Sequence, residues 1–365
     1  MQLARPRTRD RLAPAPEPAL VTWRTLLPTY SLAAVATLAV GLFAVSWGTV
    51  HIAPQTTAAI LIGHLPFVST GAHSATTDAI IWQVRMPRVL LAGLVGGTLA
   101  FSGAAYQGVL RNPLAEPYLI GVASGAAVGA TLIIISPLFV VAWIFSPLPP
   151  AAFAGALIAV ALAYGLARSA GRVGATSLIL SGVAVSSMCT SFVTYLMLTY
   201  NTRTLAILNW LLGGFNTASW QKIEIGAPYM LIGGALILPF ARLLNIMQLD
   251  EDDARQLGVD VERVKIIVLA LASLATAAAV SVSGLIGFVG LVVPHAVRMI
   301  WGSDYRRLLP LSGFFGACFL ILADVISRSI NPGYELPVGV VTALVGAPFF
   351  LYLLRRQQQL SSGQV

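Results

Sequence analysis

The sequence predicts an all-α polytopic membrane protein with about ten transmembrane helices and both termini in the cytoplasm. Three observations predict it. Charged residues make up only 10% of the 365 residues and hydrophobic residues 57%, with a mean hydropathy of +0.82; a water-soluble globule carries roughly 25% charged residues to solvate its surface. Apolar runs long enough to cross the hydrocarbon core as helices, about 20 residues each, recur along the chain. Basic residues gather in every second connection, which is how a polytopic chain fixes its orientation. Lipid is the solvent that suits such a surface, and in lipid the backbone must satisfy its own hydrogen bonds, which selects helices. The net charge of +8 follows from that topological bias rather than from nucleic-acid binding.

Residues 1–25 carry Arg5, Arg7, Arg9, Arg11 and Arg24 among prolines and read as a disordered basic cytoplasmic tail. The apolar stretch 26–52 is too long for the core of a cleaved leader and is taken as an uncleaved first span. Further candidates are 89–110, 118–145, 151–167, 176–200, 225–244, 266–286, 288–301, 308–326 and 337–354, so that the membrane domain covers 26–356 and a short cytoplasmic tail 357–365. With both termini inside, every Lys and Arg faces the cytoplasm except Arg85, Arg88, Arg203, Lys222 and Arg328. The eighth segment is short and could be broken or re-entrant. Lys265 and Arg306 flank it and its predecessor and are both inside, so the chain between them goes out and returns. Gly93 with Gly97, and Gly121 with Gly125 and Gly129, have the spacing that lets helix backbones approach closely. Ser102-Gly103 with Pro113 and Ser283-Gly284 with Pro294 form a faint echo of an inverted repeat. Cys189 and Cys318 lie in separate apolar runs and read as small hydrophobes.

Three polar features stand apart from the spans. Segment 249–265 holds six acidic residues and, between them, an apolar stripe of Ala254, Leu257 and Val261; Gly258 divides it into two short helices. A solvated loop would suit the charges, but the stripe calls for a cytoplasmic partner to cover it. The turn Arg111-Asn112-Pro113-Leu114-Ala115-Glu116-Pro117 is forced into irregular backbone by its X-Pro steps, a form tolerated at a membrane boundary only against protein or a water-filled path. Arg85, Arg88 and Arg328 lie on the side that disfavours basic residues, which points to an acidic partner outside; snorkelling, or an Asp324–Arg328 pair along one helix turn, is the competing reading. His51, His64 and His73 fall in the external connection, and His295 reads as a structural histidine. Lys222 and Lys265 are the only lysines and neither follows glycine, so no Walker A motif is present and any ATPase must be another chain.

The stretches RMPRVLLAGLVGGTLAFSGAAYQGVLRNPLAEPYLIGVASGAA, ARQLGVDVERVK, GLIGFVGLVVPHAVRMIWGSDYRRLLP and ELPVGVVTALVGAPFFLYLLRR resemble the FecCD or BtuC type of permease, from the first span to the last. The resemblance implies a BtuC-like importer fold in a bacterial inner membrane. It implies two copies side by side, two cytoplasmic ATP-binding cassette subunits that carry the ATP and Mg, and a periplasmic or lipid-anchored substrate-binding protein. The chain itself is implied to hold no cofactor or metal, to perform no catalysis and to meet membrane lipid but no nucleic acid. By the same resemblance Arg85, Arg88 and Arg328 dock the binding protein, and Asp253, Ala254, Leu257, Gly258 and Val261 couple to the ATPase. Asn112, Leu114, Thr176 and Ser177 narrow the cytoplasmic exit. An iron chelate, as haem or ferric siderophore, is the expected cargo, with cobalamin beside it. The rivals are an ion-coupled secondary transporter, for which Asp324 is the one strong acidic candidate, and a membrane prenyl transferase holding magnesium on Asp250 to Asp253.

Overall fold

The computed structural model describes residues 23–48, 50, 52–64, 74–138, 146–169, 174–249, 251–330 and 335–362. Most of the basic tail, together with His51 and His73, lies outside the described residues. The helices are α1 (Trp23–Ser46), α2 (Pro54–Gly63), α3 (Ala75–Leu110), α4 (Val122–Ile135), α5 (Leu148–Ser169), α6 (Ala175–Thr199) and α7 (Thr204–Leu211). They continue with α8 (Trp220–Ile246), α9 (Glu251–Gln256), α10 (Val261–Ser283), α11 (Val289–Trp301), α12 (Tyr305–Ser329) and α13 (Val338–Ser362). Seven of these, α1, α3, α5, α6, α8, α10 and α12, are long and apolar enough to cross a membrane, and α4, α11 and the Val338–Tyr352 part of α13 are shorter apolar helices. Together they correspond to the ten predicted spans. Helix α13 runs on to Ser362, through most of the stretch expected to be a tail.

Helices α3, α10 and α12 form the buried centre, while α1, α5, α6 and α8 are largely peripheral. The most extensive contact is α3 against α12, and its sequence cause is small residues on both faces. A Cβ at Gly96 would stand 2.3 Å from the Gly316 carbonyl oxygen. Only glycine on both sides permits that approach, which brings enough atoms into van der Waals range to hold two helices together in lipid. The Gly125–Gly129 stripe does the same for α4 against the backbone of α5, so both stripes serve packing.

Helix α3 starts well before its predicted span. Residues Ile80–Arg85 form one widened π turn just before Pro87. Proline cannot donate to the helix ladder and crowds the carbonyl four residues back, and a widened turn accommodates both defects. Helices α4 and α11 are short, about 20 Å each at 1.5 Å per residue, against a hydrocarbon core of roughly 30 Å. Each follows irregular backbone, 111–121 and 284–288, and these two stretches meet: the Tyr118 hydroxyl donates to Ile286 O at 3.0 Å and accepts from Ile286 N at 3.1 Å. Non-helical backbone within a membrane protein must be satisfied by protein in this way. The Ser-Gly echo does not mark equivalent places, since Gly103 lies inside α3 and Gly284 ends α10. The parallel between the two halves lies instead in a broken connection feeding a short helix.

Candidate functional site

At the outer end, Arg85, Arg88 and Arg328 come together, but their guanidinium groups turn inward. Arg85 donates to Val45 O and Ser46 O, both at 3.0 Å, and to Val50 O. Val45 and Ser46 are the last residues of α1, whose terminal carbonyls have no helical partner, so a cation there both satisfies and charge-complements the helix end. Arg88 donates from Nε and Nη2 to Asp324 and from Nη1 to Glu335, all within 2.9–3.0 Å. Arg328 donates to Ala44 O at 2.6 Å and stands 3.6 Å from Asp324. The Asp324–Arg328 helix pair expected from sequence is therefore present. The long-range pair of Arg88 with Asp324, 236 residues away, and with Glu335 was not legible. Asp324 is 1% exposed, whereas the Glu335 side chain is 48% exposed. The three arginines expected to dock a partner thus meet at one end, each already engaged within the chain, and the partner of Arg88 most open to solvent is Glu335. Near this end His64 stacks on Trp82 at 4.0 Å and approaches Asp78 at 3.7 Å.

Along the bundle, α6 carries Ser186, Ser187, Thr190, Ser191 and Thr194 at helical spacing, and these hydroxyls, interleaved with Val183, Tyr195 and Leu198 and joined by Tyr118 and Leu119, line an open cavity of about 840 Å³. Ser187, Thr190, Ser191 and Thr194 are exposed. Ser187 and Thr194 return their protons to the carbonyls four residues back, at 2.9 Å each, which lowers the cost of a polar face but does not make it apolar. A hydroxyl stripe on a membrane-spanning helix belongs against water or protein. Sequence reading took 176–200 as a plain apolar run; the i, i+4 recurrence of Ser186, Thr190 and Thr194 was the available signal.

The inner end gathers the remaining predicted residues. Asn112 Oδ1 accepts from Leu114 N at 2.9 Å, and Arg111 closes α3 with a left-handed φ of 49°. Arg111 Nε and Nη2 are buried without a partner among the described residues. Ser177 caps α6, its Oγ accepting from Gly174 N at 3.1 Å, and Thr176 beside it is exposed. Val109 and Leu110 line a small space with Gly174, Ala175 and Leu178, so the end of α3 and the start of α6 are neighbours, although none of Asn112, Leu114, Thr176 and Ser177 lines that space.

In segment 249–265 the chain breaks at Gly258, whose φ is +81°. Gly258 N donates to Arg255 O and Val259 N to Ala254 O, the paired bonds of a Schellman cap, with Ala254 and Val259 buried together beneath them. The expected stripe is thus divided. Ala254 (0% exposed) and Val261 (2%) face the protein, whereas Leu257 (62%) points outward with Asp253 beside it. The segment is tied to the bundle at its root: Gln248 donates to Gly108 O at 3.1 Å, and Asn245 donates to Asp304 at 2.7 Å while accepting from Tyr305 N at 2.8 Å. Burial works against ionisation of Asp304, but hydrogen bonds from Arg306 and Asn245 outweigh it and hold the carboxyl below the ordinary range. The bonds at the end of α8, just before α9, thus join this part of the chain to the end of α3 and the start of α12. His295, expected to be satisfied, has a buried Nδ1 with no partner among the described residues and meets Phe349 edge-on.

Comparison with known proteins bears on the whole chain. Residues 36–356 match the FecCD transport family. The cobalamin import system permease BtuC of Halobacterium salinarum is 42% identical over 352 residues, covering 94% of this chain and 91% of that one. The hemin transport system permease HmuU of Yersinia pestis is 40% identical over 306 residues, covering 80% and 88%. Among solved structures, an inward-facing metal-chelate type ABC transporter chain superimposes with a TM-score of 0.78 at 29% identity, covering 90% of this chain and 99% of that one.

Proposed function

The chain belongs to the FecCD transport family of importer permeases, and we propose that two copies of it form the path by which a bulky metal chelate crosses the membrane. The observation that carries the reading is the hydroxyl face of α6. It sets five hydroxyls in a row among apolar side chains, it is open on one side, and a second copy facing it would close a path that water can wet. The wall offers hydroxyls but no charged ligands, which suits a cargo to be passed on rather than held. Cobalamin, haem and ferric siderophores are the cargo class; relatives named for cobalamin and for hemin are about equally similar, so identity alone does not choose between them.

ATP is bound and hydrolysed by two cytoplasmic partner subunits, against which Leu257 and Asp253 project. Closure of that pair moves α9, and the Gln248–Gly108 and Asn245–Asp304 bonds carry the movement to α3 and α12. The turn at Asn112 and Leu114 and the start of α6 at Thr176 and Ser177 then alternate between closed and open at the inner exit. Outside, a binding protein docks over the arginine cluster, its carboxylates competing with Glu335 for Arg88.

The test uses cysteines in a background with Cys189 and Cys318 replaced by alanine. Thr194→Cys is expected to react with a charged, membrane-impermeant thiol reagent and to crosslink between copies, while Ile158→Cys, exposed on α5 away from that cavity, does neither. Reaction of Thr194→Cys with lipid-soluble reagents alone would overturn the reading.

A further inference from the structure

A second cavity lies on another side of the bundle. It is a groove of about 630 Å³ between α1 and α8, floored by α3 and α12 and lined almost wholly by carbon. Its floor extends along α3 from Met86 to Ser102, about 24 Å at 1.5 Å per residue. That is most of the hydrocarbon thickness of roughly 30 Å. Glycine makes the trough: Gly93 and Gly97 on α3, Gly313 on α12, and Gly234 on α8, where an added Cβ would meet nothing within 4 Å. A deep, narrow, apolar trough at membrane depth has the shape of a hydrocarbon chain.

The two ends differ in charge. At the outer end the nearby guanidinium groups of Arg85, Arg88 and Arg328 are already committed to backbone carbonyls and to Asp324 and Glu335. At the inner end Leu238 and Pro310 line the groove. Beyond Leu238 the chain makes a 3-10 turn, Leu238–Phe240, and Arg242 follows it near the inner end of the groove, exposed and without an ion pair among the described residues. The Asp304 carboxylate near that end is engaged by Arg306 and Asn245.

We propose that this groove binds one acyl chain of an anionic phospholipid from the cytoplasmic leaflet, with Arg242 holding its phosphate. Such a lipid would wedge between α1 and α8 and fasten the peripheral α1 to the bundle.

Native mass spectrometry of the full-length protein, released from nanodiscs of equal phosphatidylglycerol and phosphatidylcholine, tests this. Wild type is expected to retain one phosphatidylglycerol. Gly234→Leu puts a side chain into the trough at a position where a Cβ meets nothing within 4 Å, and is expected to lose that lipid while melting no lower than wild type. Arg242→Gln is expected to retain a lipid but with the preference for phosphatidylglycerol reduced about five-fold, the effect of one basic residue near an anionic headgroup. Equal retention by wild type and Gly234→Leu, or an unchanged preference in Arg242→Gln, would overturn the proposal. Neither readout depends on transport.

Discussion

Replacing Asp324 by asparagine should damage the protein far more than replacing Glu335 by glutamine, although both carboxylates bind the same arginine. Asp324 is 1% exposed and is shared by Arg88 and Arg328, whose side chains are 10% and 8% exposed. Removing its charge leaves two largely buried guanidinium groups with one partly solvated carboxylate between them. Breaking a buried ion pair from one side costs about 3–5 kcal/mol, because the orphaned charge cannot regain its hydration. Glu335 is half exposed, so water replaces much of what it supplies and its loss should cost less than about 1 kcal/mol. At a few degrees per kcal/mol, the melting temperature should fall by on the order of 10 °C for Asp324→Asn and hardly at all for Glu335→Gln. Thermal unfolding of the detergent-purified protein, followed by tryptophan fluorescence, reads both. The docking proposal adds a second expectation: Glu335→Gln should tighten binding-protein association, since Arg88 loses its internal competitor. The reasoning is refuted if Asp324→Asn melts within 2 °C of wild type, or if the two variants fall equally.

Three further outcomes follow from the same geometry. Gly96→Leu would force a side chain into the Gly316 carbonyl; the cost should exceed the roughly 1–3 kcal/mol of ordinary overpacking and appear as loss of monodisperse protein on size exclusion. Leu257→Asp, on an exposed side chain, should leave melting unchanged while abolishing co-purification of the ATPase. Asp304→Ala should cost about 1–2 kcal/mol at pH 7, from the lost α12 cap and inner latch. Because the folded-state pKa of Asp304 lies below its unfolded value, its contribution is complete above about pH 4 and is lost as pH falls through the folded value. Wild type and Asp304→Ala should therefore converge in acid melting curves.

Much of the architecture was legible because a membrane restricts it so severely. Ten apolar runs and the placement of basic residues led to ten helices, and Gly258 led to the break between α9 and α10, because a left-handed cap position leaves glycine few substitutes. What sequence could not supply was direction. Arg85, Arg88 and Arg328 were expected at one end of the bundle and do meet there, but a π turn and partners more than 200 residues away decide that Arg88 points inward. Ala254, Leu257 and Val261 looked like one stripe because helical periodicity was carried across Gly258, where the helix stops. The α6 hydroxyls were hidden by averaging, since serine and threonine scarcely lower the hydropathy of a run that contains them. Their spacing, not their number, held the information.

The central claim is that this chain conducts a metal chelate inward when a partner hydrolyses ATP. Uptake into proteoliposomes tests it most directly, with the chain, its ATPase and its binding protein reconstituted together and cobalamin, hemin and a ferric siderophore offered in turn. Accumulation of one of these chelates that needs ATP and the binding protein, and that Leu257→Asp abolishes, is the predicted result. Accumulation driven by a proton gradient without the ATPase would contradict it and return attention to Asp324.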